Sequence, residues 1–351
     1  VPPAPSARPN VLLIIVYSRN INYCMTKSKK ILYASLSAAI LAIIVLLAMF
    51  PERYAKCCLS GLELWLYFVL PSLFPFFVLT ALLTKLGVAE RASRVLSPLC
   101  EKAFKMPGIA SYCFAMSALS GYPVGSRMLA DLRENGLITD AQATRMSPLC
   151  STSGPLFVIA SVGAAMFHSQ KIGLILFCSH IFAVVLVCLV FSAFTKKQPA
   201  AQPPQRRLVA ADNILYESVY GAVTSILVVG AFIAVFYILA QILSDFYLLL
   251  PAESLFSLVL SPFDKSGQLA AAFTQGLIEA THGCKLLAQN PGMLSVSLAA
   301  FVITFGGVSI LAQQICYFKK AGVKLKYFLP VKIIQAFTAF ALCLLFCFLF
   351  Q

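Results

Sequence analysis

Four short segments combine glycine, proline, hydroxyl and ionisable residues inside otherwise apolar stretches. They lie at 120–127, 151–155, 279–283 and 305–309. Such residues predict breaks in membrane helices, where each unpaired N–H or C=O group costs several kcal/mol unless protein or a water-filled cavity satisfies it. We therefore predict that the four breaks mark a binding site, with one hairpin tip and one broken span in each half of the chain.

The first hairpin tip has the residues expected of an anion site. Gly121, Pro123 and Gly125 end one helix and allow another to begin, and free N–H groups at a helix start favour an anion. Arg127 adds a positive charge whose planar fork can hold a carboxylate at two points. The alternative is an ordinary turn whose arginine extends to lipid phosphates. The predicted substrate-binding residues here are Ser120, Gly121, Tyr122, Pro123, Gly125, Ser126 and Arg127.

The two broken spans are predicted to line the same cavity. The first offers hydroxyl groups and exposed carbonyls beside a Gly-Pro pair, and the second contains a glycine pair followed by a serine. The alternatives are a kink packed against neighbouring helices and a close helix contact of the small-residue kind. The predicted substrate-binding residues here are Ser151, Thr152, Ser153, Gly154, Gly306, Gly307 and Ser309.

Glu279 is an acid in a stretch that is otherwise apolar or small, which is costly unless the side chain faces a cavity, a cation or a base. Together with Thr281 it is the predicted site for coupling to an ion or a proton. The alternatives are a position at the wet mouth of the hairpin and an internal ion pair with Arg127. His282, close by, can change charge near neutral pH, although a lone histidine is more often simply hydrogen-bonded.

The composition indicates a polytopic membrane protein. Of 351 residues, 60% are apolar and 11% charged, whereas soluble domains are about 25% charged. The net charge of +14 comes from basic residues between apolar blocks, so we expect no nucleic-acid partner. The twelve cysteines include no C-x-x-C pair, and no nucleophile lies beside a base, so we predict no metal, cofactor or catalytic residues.

A helix needs roughly 20 apolar residues to cross a bilayer. The sequence therefore predicts an all-α fold with about seven transmembrane helices and two re-entrant hairpins. Three of the spans, 31–50, 172–194 and 327–350, are taken to contain no acid or base except boundary residues. The predicted spans are 31–50, 62–84, 147–168, 172–194, 214–244, 293–316 and 327–350. The two shorter apolar pieces, at 108–119 and 267–289, belong to the predicted re-entrant segments. Lys and Arg concentrate in loops 85–107, 195–212 and 319–326, which the positive-inside rule places in the cytoplasm.

The predicted domain organisation is an inverted repeat with broken helices, as in many secondary transporters. A polar, Pro-rich linker separates the two gate-type repeats, and a helix precedes them. The predicted segments are a disordered or non-native extension at 1–24, an N-terminal transmembrane helix at 25–61, a first repeat at 62–194, a cytoplasmic linker at 195–213 and a second repeat at 214–351.

The motifs at 118–127, 151–157, 276–279 and 305–309 resemble those of the sporulation integral membrane protein family typified by YlbJ, or stage V sporulation protein SpoVV. That family carries the nucleoside-recognition or gate domain and is similar to concentrative nucleoside transporters. The resemblance covers most of the chain after Met25. It implies transport of dipicolinic acid across the outer forespore membrane of a sporulating bacterium, and such a dianion suits a site with helix starts and Arg127.

The leading interpretation is therefore a multi-pass bacterial cell-membrane transporter of a small organic anion, surrounded by lipid and coupled to an ion or a proton. A homo-oligomer is left open. Two alternatives stand beside it: a nucleoside-type permease, and a membrane scaffold or gate subunit that does not transport by itself.

Overall fold

The protein is described by a computed structural model over residues 27–195 and 213–350. The predicted extension at 1–24 and nearly all of the predicted linker lie outside these residues. The described part of the chain is helical and contains no strand, which confirms the predicted all-α membrane class. The helices are α1 Lys27–Met49, α2 Pro51–Leu64, α3 Leu70–Lys85, α4 Val88–Phe104, α5 Ile109–Ser120, α6 Val124–Glu134, α7 Asp140–Met146, α8 Gln170–Ala193, α9 Ile214–Asp245, α10 Leu250–Leu260, α11 Gln268–Ile278, α12 Ala280–Leu287, α13 Met293–Phe305, α14 Gly307–Lys320 and α15 Leu325–Leu349, with π-helical segments at Trp65–Val69 and Leu156–Met166.

Six helical stretches among the described residues are long and apolar enough to cross a membrane. They are Lys30–Met49, Pro51–Lys85, Gln170–Ala193, Ile214–Asp245, Met293–Lys320 and Leu325–Leu349. The span predicted at 147–168 accounts for the difference from about seven. Its helix is interrupted at 151–154, so only the 11-residue π-helix Leu156–Met166 follows.

The described residues divide into two units, with the boundary between Lys56 and Cys57. In the first unit, α1 carries apolar side chains that are largely exposed, as a helix surrounded by lipid requires. The second unit contains all four predicted breaks. Its largest buried apolar cluster is built mainly from residues of α3, the π-helix Leu156–Met166, α8, α9, α11–α13 and α15.

The order of elements in the second unit occurs twice. Two helices, a two-helix hairpin, a broken segment and a final long helix run from α3 to α8 and again from α9 to α15. The packing is reciprocal as well: α3 contacts α9, α8 contacts α15, α6 contacts α14, and α12 contacts the π-helix Leu156–Met166. This order agrees with a repeated architecture, and the inversion of one copy relative to the other stays a prediction.

Local sequence explains several helix boundaries. Thr139 and Gln142 form a capping box at the start of α7, in which the Gln142 N–H donates to Thr139 Oγ1 at 3.2 Å and the Thr139 N–H donates to Gln142 Oε1 at 2.8 Å. Ser169 accepts the Ile172 N–H at the start of α8. These caps end the polar connections, so that both helices begin at defined positions.

Candidate functional site

All four predicted breaks are present. Gly121 separates α5 from α6 with φ 81°, and residues 151–154 are non-helical. Glu279 is extended between α11 and α12, and Gly306 separates α13 from α14 with φ 90°. The positive φ values suit glycine, which lacks the Cβ that disfavours this region for other residues.

The two breaks of each half lie directly against each other. A Cβ atom on Gly121 would lie 2.7 Å from the backbone nitrogen of Gly154, and one on Gly307 would lie 2.9 Å from the carbonyl oxygen of Gly276. Both distances are too short for a real side chain. Backbone at or next to a hairpin tip therefore touches backbone at a broken span, once in each half.

Two side chains connect the breaks of one half to those of the other. The Tyr122 hydroxyl lies 3.3 Å from the carbonyl oxygens of both Ile303 and Thr304, to which it can donate. The Ser153 N–H donates to His180 Nε2 at 2.9 Å, and His180 Nδ1 lies 2.9 Å from Thr304 Oγ1. Because Nε2 accepts, the neutral ring carries its proton on Nδ1 and donates it to the Thr304 hydroxyl.

Lys332 provides a positive charge at this junction. Its ammonium group donates to the Tyr122 hydroxyl at 3.0 Å and to the Ser151 carbonyl oxygen, and it lies 5.1 Å from the centre of the Tyr122 ring. The side chain is 0% exposed, and it forms no ion pair with any described residue. A buried charge without a counter-ion is costly, and in membrane segments such residues mark functional sites.

Sequence reasoning missed Lys332 and His180. The prediction places Lys332 among the boundary residues of the span 327–350, although this lysine lies two turns inside α15. The signal that could have identified it is a lysine two turns inside a membrane-spanning helix, with apolar residues on both sides of it. His180 gives a similar signal, since it lies near the middle of α8.

Glu279 is the acidic residue of the site. Its carboxylate accepts the Thr281 N–H at 3.2 Å and the His282 N–H at 2.6 Å, so it caps α12. The side chain is 0% exposed, and no described basic side chain forms an ion pair with it. The predicted internal ion pair with Arg127 is therefore not formed.

A small cavity that is open on one side lies where the breaks meet. Its polar lining comes from Tyr122, Ser153, Glu279, Thr281 and Gln313. Gln313 is 3% exposed, and its Nε2 has no hydrogen-bond partner among the described residues. An unpaired buried amide on a cavity wall is a donor available to a ligand.

The remaining cavity wall is apolar. Leu73 of α3 and Val229 and Ile233 of α9 line one side, and Phe157 and Ile310 lie next to the breaks. The cavity thus places hydrogen-bonding groups from the broken helices opposite aliphatic side chains from the paired helices α3 and α9. Such a mixture of apolar surface and few polar groups is typical of small-molecule sites.

The predicted site residues occupy several kinds of position. Tyr122, Ser153, Glu279 and Thr281 line the cavity. The others at the four breaks, except Arg127, are buried behind the wall: Ser120, Gly121, Pro123, Gly125, Ser126, Ser151, Thr152, Gly154, Gly306, Gly307 and Ser309. Among these, Ser120 and Ser309 have hydroxyl oxygens without a partner in the described part of the chain.

Arg127 lies elsewhere. It is exposed, its Nη1 donates to Ser225 Oγ of α9 at 2.7 Å, and its Nη2 lies 3.8 Å from the position of a Cβ on Gly221. It is not part of the cavity lining. The predicted carboxylate contact of Arg127 stays a prediction, and Lys332 is the cation that the fold brings to the breaks.

Comparison with known proteins agrees with the resemblance predicted from the motifs. Residues 66–194 match the Gate family model, described as nucleoside recognition. The chain is 26% identical over 311 residues to the sporulation integral membrane protein YlbJ of Bacillus subtilis (strain 168), an alignment that covers 82% of this chain and 76% of that protein. No solved structure matches the chain. The resemblance is thereby confirmed, and the Gate match contains both breaks of the first half.

Proposed function

For a polytopic membrane protein that carries a Gate domain and is similar to a sporulation membrane protein, we propose transport of a small organic anion. The observation that carries this proposal is the buried ammonium group of Lys332, which has no counter-ion among the described residues and lies behind a cavity wall. Two of its three N–H donors are used, by Tyr122 and Ser151. An anion in the cavity supplies the missing negative charge.

Dipicolinic acid is the proposed substrate, with the outer forespore membrane as the proposed location. The molecule is small and planar, and its two carboxylates flank the nitrogen of an aromatic ring. Ser153 and Gln313 would supply hydrogen-bonding groups toward its carboxylates, while Leu73 and Phe157 would contact the ring. The resemblance to the YlbJ family motivates this choice among small organic anions.

The position of the cavity between two groups of helices supports the proposed transport. α3 and α9 pack against each other and supply an apolar wall, whereas the broken helices supply the polar wall. Movement of the hairpin-bearing elements past α3 and α9 would expose the cavity to alternate sides of the membrane. The polar contacts to substrate move with the broken helices, so the anion stays bound during the movement.

The test is uptake of radiolabelled dipicolinate by liposomes that contain the purified full chain. We expect uptake by the wild type and a loss of about 30-fold in apparent affinity for Lys332→Gln, because a unit charge roughly 8 Å away contributes about 2 kcal/mol at an effective dielectric constant of about 20. Lys319→Gln is the matched control, since Lys319 is exposed at the end of α14. Unchanged affinity in a folded Lys332→Gln protein would remove the basis of the proposal.

A nucleoside permease is the second candidate, favoured by Glu279 and Gln313. A carboxylate and an amide facing one cavity are suited to hydroxyl groups and to the edge of a base. Uridine and adenosine uptake in the same liposomes separates the two candidates. If neither dipicolinate nor a nucleoside enters, the interpretation as a scaffold or gate subunit gains, and addition of membrane partners becomes the next measurement.

A further inference from the structure

The cavity carries two opposite charges that do not neutralise each other directly. Lys332 reaches the cavity wall through Tyr122, whereas Glu279 lies in the lining itself. Neither forms an ion pair with a described residue. If the protein transports an anion, as proposed above, this site must accept further negative charge beside Glu279.

An ionised Glu279 opposes a dianionic substrate. With Glu279 charged and a dicarboxylate bound, one positive and three negative charges would share a site that is shielded from water. Like charges in a medium of low effective dielectric repel by several kcal/mol. A proton on Glu279 removes one of these charges and turns the side chain from an acceptor into a donor, which can then hydrogen-bond to a substrate carboxylate.

The surroundings of Glu279 allow both forms of the side chain. Before an anion enters, the N–H groups of Thr281 and His282 and the start of α12 stabilise the ionised carboxylate. Each carboxylate oxygen accepts one of these bonds and keeps a lone pair for a proton. The switch between the two forms requires only that an anion enters or leaves.

The titratable groups around Glu279 supply no fixed positive charge that would hold it ionised. Tyr237 of α9 and Cys284 of α12 are close enough to interact electrostatically with its carboxylate. The His282 ring packs edge-on against the Tyr237 ring, with centroids 4.4 Å apart, and its Nδ1 has no partner among the described residues. Tyr122 lies across the cavity.

The described residues contain no group of three or more His, Cys, Asp or Glu side chains arranged for a metal ion. Glu279 is the single carboxylate in the cavity lining. One carboxylate suffices for a proton, whereas a bound metal ion is normally surrounded by several oxygen ligands.

We propose that the transporter is a proton symporter in which Glu279 carries the coupled proton. The proton comes from water on the side where the anion enters, binds the Glu279 carboxylate as the anion occupies the cavity, and returns to water on the other side when the anion leaves. Substrate and proton therefore move in the same direction. No covalent bond to the substrate forms or breaks.

The experiment uses liposomes that contain the full chain and a pH-sensitive dye trapped inside. For the wild type, we expect an outside pH one unit below the inside pH to raise accumulation of dipicolinate up to about tenfold, with acidification of the lumen that depends on added dipicolinate. Glu279→Gln keeps a neutral side chain that cannot bind or release the coupled proton, so it should lose both effects of the pH gradient. Glu134→Gln, at an exposed position at the end of α6, is the matched control.

Each outcome has one meaning. If the wild type exchanges dipicolinate but neither responds to the pH gradient nor acidifies the lumen, or if a sodium gradient drives accumulation instead, the proton assignment is wrong while the proposed function stands. If the wild type neither accumulates nor exchanges dipicolinate, the proposed function itself fails. The dye measurement on the wild type decides the question even if Glu279→Gln does not fold.

Discussion

The two regions that meet at the cavity have the same kind of glycine contact between helix breaks, but their charged side chains have opposite signs. In the first region, Gly121 and Gly154 bring two breaks together, and the charge comes from Lys332 of α15. In the second, Gly276 and Gly307 bring two breaks together, and the charge comes from Glu279, which is itself the break residue. A pair of glycines thus allows the close backbone contact in each region, while a different residue in each region determines the sign of the charge.

The difference lies in how each charge is stabilised. Glu279 accepts N–H groups two and three residues further along the chain, so its site is local. Lys332 donates to Tyr122 and to Ser151, which are 210 and 181 positions away. The acidic side of the cavity can form with its hairpin, but the basic side exists only when α15 packs against the first half.

The largest effect, a loss of thermal stability, is expected from adding a Cβ atom to the glycines at the close backbone contacts. Gly121→Ala and Gly307→Ala each combine a positive φ, which costs about 1–2 kcal/mol for a residue with a Cβ, with a backbone clash, which costs typically about 1–3 kcal/mol. We expect a similar loss of thermal stability in detergent for both variants. Gly136→Ala is the control, because Gly136 has φ 69° but nothing within 4 Å of an added Cβ. Unequal losses for the first two would show that the regions are not equivalent.

An intermediate effect is expected from removing the hydroxyl that links Lys332 to the second half. Tyr122→Phe deprives Lys332 of one acceptor and leaves the carbonyl oxygens of Ile303 and Thr304 without this donor. An unsatisfied buried polar group costs about 1–3 kcal/mol. We expect weaker dipicolinate binding by roughly 5- to 100-fold in equilibrium binding measurements. Tyr220→Phe, at an exposed position of α9, should bind like the wild type.

The smallest effect is expected at Arg127. Its described hydrogen bond goes to Ser225 on an exposed surface, so Arg127→Ala should change dipicolinate affinity by less than about threefold. The same binding assay on Lys332→Gln compares Arg127, the cation indicated by the sequence motif, with Lys332, the cation that lies at the breaks in the structure. If Arg127→Ala lost as much dipicolinate affinity as Lys332→Gln, Arg127 would belong to the anion site. The proposed difference between the two regions would then be wrong.

The positions of the breaks were accessible to sequence reasoning because their causes are local. Gly121, Gly306 and the acid at Glu279 interrupt apolar stretches, and an interruption is visible in a few neighbouring residues. The span predicted at 147–168 shows the limit of that reasoning. Its composition is apolar enough for a crossing, but the helix stops at 151–154, where its backbone meets the hairpin tip.

The sequence by itself determined the membrane class, the four breaks and the acidic residue that caps α12, since each depends on residue types within a few positions. The tertiary structure alone decided that Lys332 and His180 face the breaks, that Arg127 lies against α9, and that the breaks surround one cavity. The physical reason is that a helix can turn any of its faces toward a neighbour. Which face is buried depends on packing between segments that are more than a hundred residues apart in the chain.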